Sequence, residues 1–241
     1  MCTVSFIPLK DKILLTSNRD EKHYRKQALH PAVYTLRGNK TVYPKDADAG
    51  GTWIAMQENG NAAVLLNGAF INHVPKSTYS KSRGLILLDI IEAVRPVQKF
   101  LQNNLVDIAP FTLVVINNGL LYECRWDGYK THCRQLPLNR PAIWSSATLY
   151  SMDVIKKREQ WFAAWLNRNP NPSQEDVIKF HLFGGDAGKA NNLWMNRDGL
   201  IYTVSVTSIE LSEERCSMHY LDLKDFSTTN KEIRLSSPCA I

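Results

Sequence analysis

Cys2, directly behind Met1, puts a nucleophile and a base on adjacent atoms of one residue. Methionine aminopeptidases act efficiently only when the second side chain is small, and cysteine qualifies. A chain trimmed in this way begins with a thiol beside a free α-amine. That amine titrates near ~8, far below a lysine, and accepts a proton near neutral pH. A nucleophile with its own base three bonds away is the minimal apparatus for covalent attack on a carbonyl. The plain alternative makes Cys2 the first small residue of a strand. A charged run, Asn18-Arg19-Asp20-Glu21, tips the reading towards chemistry, because a short hairpin would return it to the beginning of the chain. A guanidinium at Arg19 then favours the thiolate, and a carboxylate at Asp20 orients the α-ammonium. The ordinary fate of such a run is a solvated turn of paired charges.

Further along, Gly50-Gly51 precedes Thr52-Trp53, and two glycines permit close backbone approach just before a strand. Asp46, Asp48 and Trp53 are therefore candidates for one wall of a cleft, with a tight turn and a core tryptophan as the equal alternative. Asn67-Gly68 ends another apolar run. The six histidines (23, 30, 73, 132, 181 and 219) lack paired or HExxH spacing, so no metal is expected. Gly184–Gly188 is followed by Lys189-Ala190 and lacks the Lys-Ser/Thr of a phosphate loop. Five cysteines, at 2, 124, 133, 216 and 239, fit no zinc pattern, and the last four read as reduced and structural.

The elements that must position these residues alternate in blocks. A hairpin is expected from Cys2–Ile7 and Lys12–Ser17, with the charged run following its second strand. A second pair, Thr52–Met56 and Ala62–Leu66, turns at Asn59-Gly60. Helical spacing marks 82–93 and 97–105, then 152–166 and 174–182. Between them lies a meander of 111–117, 120–126 and 129–136. Strands return at 192–196, 200–206 and 216–223. Antiparallel meanders separated by helical pairs indicate an α+β fold, with two sheets face to face and helices outside each. No repeat or linker divides the 241 residues, which read as one domain, 1–241.

Four blocks carry a resemblance: Met1-Cys2-Thr3, Asn18-Arg19-Asp20-Glu21, Ala49-Gly50-Gly51-Thr52-Trp53 and Leu65-Leu66-Asn67-Gly68. In this order they resemble the NRDE family, also called the Transport and Golgi Organisation two family. The resemblance implies a four-layer αββα sandwich, the N-terminal-nucleophile hydrolase fold of bile-salt hydrolases, penicillin V acylases and acid ceramidase. It implies Cys2 as nucleophile, Asp20 as holder of its amine, Asn67 as oxyanion donor, and Arg19 beside them, with Asn18, Trp53 and Ser145 at the substrate. The acylase pattern spaces its arginine two residues from the aspartate, whereas here the two are adjacent. It also expects an asparagine near Trp144–Ala147, where this chain has Ser145 and Ser146, and a late arginine, for which Arg197 and Arg215 are candidates.

Two functions follow. The first is a cysteine amidohydrolase that cleaves a small carboxamide, such as an N-acyl or lipid-like conjugate, without a cofactor. The second is a non-catalytic carrier for a hydrophobic anion such as haem, since the family is linked to haem trafficking and lipid metabolism. A net charge of +6 with scattered basic residues gives no nucleic-acid signature. Apolar runs are too short for a transmembrane segment, and charge at Lys10-Asp11-Lys12 argues against a secretory leader. A cytoplasmic protein is the expectation.

Overall fold

The computed structural model describes residues 3–186 and 188–237; Cys2 and Cys239 lie outside the described residues. In chain order come β1 (Thr3–Pro8), β2 (Lys12–Lys22), β3 (Leu29–Leu36), β4 (Asn39–Lys45), β5 (Ile54–Gln57) and β6 (Ala62–Asn67). Helices α1 (Arg83–Ile91) and α2 (Pro96–Gln102) follow, then β7 (Phe111–Asn117), β8 (Leu120–Trp126), β9 (Thr131–Leu136) and β10 (Ala142–Ser145). Helices α3 (Met152–Arg168) and α4 (Gln174–Phe183) precede β11 (Asn196–Arg197), β12 (Ile201–Ser212), β13 (Arg215–Asp222) and β14 (Thr228–Arg234).

Two seven-stranded antiparallel sheets result. The first runs β10-β1-β2-β12-β13-β14, with β11 beside β12; the second runs β3 to β9 in chain order. Strand alternation sorts the side chains into layers. Val4, Phe6, Ile13 and Leu15 of the first sheet meet Val42, Ile54, Val64 and Val114 of the second in the central core. Ile7 and Leu14 point the other way, onto Phe162 of α3 and Val177 and Phe180 of α4. Ala63, Leu65, Leu113 and Val115 likewise leave the centre to pack under Ile86 and Ile90 of α1 and Phe100 of α2. Both faces of each central strand are thus buried, which is why Leu113–Ile116 reads as an unbroken apolar run. The arrangement is the four-layer αββα sandwich.

Helix starts follow their caps. Ser82 and Ser151 accept the N–H groups of Leu85 and Val154, Ser173 and Asp176 form a reciprocal capping box, and Pro96 opens α2. No helix among the described residues is long and apolar enough to cross a membrane.

Several expectations are corrected. The Asn18–Glu21 run does not follow the second strand but lies inside it, paired with β12 from Lys12 to Lys22. Strands β3, β4, β10 and β14 carry no clean signal. β3 contains Pro31 at a register shift, and β14, Thr-Thr-Asn-Lys-Glu-Ile-Arg, is a polar edge. Residues 192–195 are not a strand; β11 comprises Asn196 and Arg197 alone.

Candidate active site

Register places the charged run beside the described start of β1. Thr3, fully buried, lies opposite Asn18 of β2 and Ser145 of β10. Because β2 alternates, Arg19 faces the second sheet while Asn18 and Asp20 face the helical layer. Adjacent residues therefore serve opposite sides of one strand.

On the inter-sheet side, the Arg19 guanidinium donates to Asp46 at 2.6 Å and lies 4.7 Å from the centre of the Trp53 ring. Arg25 holds the same carboxylate at 2.7 Å. Burial alone would raise the pKa of Asp46, but the Ala49 N–H and both arginines outweigh it and keep it below the usual carboxylate range. Two buried donors here, Arg19 Nε and Trp53 Nε1, have no acceptor among the described residues.

Beyond them opens a cleft of about 290 Å³, lined among others by Arg25, Asp46, Trp53, Asn67, Arg83 and Gly84. Its walls depend on close backbone approach. A Cβ on Gly51 would lie 2.4 Å from the carbonyl carbon of Gly84, so the turn before Trp53 seats directly on α1. Asn67 ends β6 half-buried and lines this cleft. Its carbonyl accepts from Ser146 Oγ at 2.9 Å. The next residue, Gly68, has φ +81, and a Cβ there would meet Thr148.

The helical side is a second polar layer. Asp20 accepts from Tyr150 at 2.7 Å and from Thr203 at 2.6 Å. Arg158 of α3, fully buried, lies 3.6 Å from the Tyr150 ring centre and donates to Thr3 Oγ1 and to the carbonyls of Asn191 and Asn192. Asn18 donates to the carbonyls of His181 and Leu193, which fixes its amide so that Oδ1 faces His181 Nδ1. That nitrogen must carry the proton, leaving Nε2 to accept from Ser5 at 2.7 Å. Burial, with Arg158 nearby, pushes His181 down to about 3. It is a neutral clamp between β1, β2 and α4.

The structure thus brings Arg19, Trp53 and Asn67 to one side of the first sheet and Asp20 to the other. Asn18, expected at the substrate, is fully buried against α4, away from the cleft. Ser145 pairs with Thr3, while its neighbour Ser146 secures Asn67. Of the late arginines, Arg197 binds the Leu149 carbonyl near Tyr150, whereas Arg215 is an exposed partner of Glu232. Trp53 is both core and cleft wall, and Asp46 joins it there. Sequence reasoning missed Arg158, Tyr150 and Thr203. Arg158 carried one signal, since it falls three residues after Ile155 and four before Phe162, on the apolar stripe of α3.

Two antiparallel sheets between paired helices, with polar side chains gathered at the first strand, form an αββα sandwich with the N-terminal-nucleophile hydrolase-like fold. Residues 1–217 match the profile of Transport and Golgi organisation 2, and the chain belongs to that family. Among solved structures it is similar to the Caenorhabditis elegans ortholog of N-acylethanolamine-hydrolyzing acid amidase. That match has 13% identity and a TM-score of 0.60, covering 86% of this chain and 92% of the other. It is also similar to a variant of conjugated bile acid hydrolase from Clostridium perfringens, at 12% identity and a TM-score of 0.53, covering 100% and 99%. Such identities establish the fold alone. A comparison with curated proteins finds no match.

Proposed function

We propose that the protein is a cysteine amidohydrolase whose nucleophile is Cys2 after removal of Met1. Its substrate is an amide joining a lipophilic acid to a small polar amine, a reading suggested by the two structural neighbours, one named for hydrolysing N-acylethanolamines and the other for hydrolysing conjugated bile acids. The observation that carries the reading is the division of labour across β2. The mechanism requires the Cys2 thiol between the sheets, near Arg19, and the α-amine within reach of Asp20. Arg19 and Asp20 occupy the two faces of β2 beside Thr3.

In this mechanism the α-amine takes the thiol proton, directly or through water. The thiolate attacks the carbonyl, and the Asn67 amide donates to the oxyanion. Collapse expels the amine, which takes the proton back from the α-ammonium. Water, deprotonated by the restored α-amine, then cleaves the thioester and releases the acid. Trp53 and Asn67 line the cleft beside the Arg19–Asp46 ion pair, which supports its assignment as the acyl-transfer site.

The test is amine release from a panel of N-acyl amides. Cys2→Ala abolishes turnover with an unchanged circular dichroism spectrum, and Asn67→Ala lowers kcat about 10²–10³-fold, as for other oxyanion donors. Turnover retained by Cys2→Ala would exclude the mechanism.

A further inference from the structure

Away from the cleft, two thiols read from sequence as inert meet across a strand pair. Cys124 of β8 and Cys133 of β9 are direct antiparallel partners, with Sγ atoms 3.0 Å apart. Opposed residues in such a ladder have Cα separations of about 4.5–5.5 Å, inside the range of about 4.4–6.8 Å that disulfides span. Bridging them therefore needs side-chain rotation and no strand movement.

The two differ in access. Cys124 is fully buried in the layer beneath α1 and α2, packed with Leu113 and Trp126. Cys133 is only partly buried and sits on β9, which among the described residues is the sheet's edge strand beside β8. One thiol can meet a reagent from solvent, and the other waits behind it. The Cys124 S–H, donated to Cys133, favours a thiolate there and lowers its pKa, although burial and Glu123 oppose this. Sharing that proton, together with burial, pushes Cys124 up.

We propose that Cys124 and Cys133 form a dithiol modification site that reacts with small-molecule disulfides and closes an intrasheet disulfide. The Cys133 thiolate attacks one sulfur of the reagent, forming a mixed disulfide and expelling the first thiolate. Cys124 then loses its proton to solvent and attacks the Cys133 sulfur, expelling the second. In sum, two protein thiols and one disulfide give one protein disulfide and two small thiols, with two electrons passing to the reagent. Proximity of the resolving thiol makes the mixed disulfide short-lived, because its attack is intramolecular.

The experiment treats the reduced full-length protein with oxidised glutathione, quenches with acid, and maps peptides by non-reducing mass spectrometry. The wild type is expected to lose two hydrogens and to yield a linked peptide pair containing Cys124 and Cys133, without a lasting glutathione adduct at either. Cys124→Ser is expected to retain glutathione on Cys133, since nothing resolves it. Cys133→Ser, which leaves the core cysteine in place, is expected to leave Cys124 unmodified while the protein is folded. A stable adduct on wild-type Cys133, a bridge from either residue to another cysteine, or no reaction at Cys133 would each overturn the proposal. A trivalent arsenical gives an independent reading that needs no variant. One equivalent should protect both thiols from alkylation together, and protection of one or neither would contradict the pairing.

Discussion

His181 makes folding sensitive to mild acid. In the native state it is enclosed, donates to Asn18 and accepts from Ser5, with its pKa driven down to about 3 by burial and by Arg158. In the unfolded chain it titrates near ~6.5. A depressed folded pKa means that the unfolded state binds the extra proton. Stability is therefore fully present above about pH 6.5 and is lost progressively as pH falls towards about 3. The limiting slope is about 1.4 kcal/mol per pH unit, so the drop from pH 7 to pH 5 costs about 2 kcal/mol. That is a large share of the about 5–15 kcal/mol typical of a domain. The window avoids most carboxylates: Asp46 and Glu123 are both held below their usual range and lose their contribution at lower pH. Urea unfolding at half-unit steps from pH 7.5 to 5, for the wild type and His181→Gln, measures the effect. The variant should be less stable at pH 7.5, having lost one of two hydrogen bonds, yet nearly flat across the window. Parallel pH profiles for the two proteins would refute the assignment of a buried neutral imidazole.

Other perturbations test the packing around the site. Gly51→Ala drives a Cβ into the Gly84 backbone and should cost about 1–3 kcal/mol in denaturant unfolding; a neutral result would mean that the turn and α1 are not in contact. Arg158→Lys cannot hold Thr3 and two carbonyls while covering the Tyr150 ring, and the orphaned acceptors should cost about 2–4 kcal/mol. A change below about 0.5 kcal/mol would show that the buried guanidinium is dispensable. Asp20→Asn should spare the fold but slow acyl transfer, measured on the same amide panel, and unchanged kcat would remove Asp20 from the site.

The sandwich was legible because its central elements obey simple periodicities. Val4 and Phe6 alternate with Ser5, Leu113–Ile116 is apolar throughout, and helical spacing marks 82–93 and 174–182 close to the observed α1 and α4. The charged run was misplaced for a physical reason. Asn-Arg-Asp has poor strand propensity and reads as a turn, yet both layers supply it with partners: Asp46 and Trp53 on one side, His181, Tyr150 and Thr203 on the other. None of those contacts is local in sequence. Arg158 was hidden among Lys156 and Lys157, where composition says surface and only the stripe through Ile155 and Phe162 says interior. The cysteine pair eluded inspection as well, because eight intervening residues fit no ligand pattern and only the β8–β9 register makes them neighbours.

The central claim is that the first residue of the processed chain carries the acyl group. Rapid acid quench after mixing with an activated N-acyl amide, followed by intact mass and peptide mapping, tests it directly. The account predicts a chain lacking Met1 with a transient acyl increment on Cys2, labile to hydroxylamine and absent from Cys2→Ala. Met1 retained in the purified protein, or an acyl group found on any other residue, would contradict it.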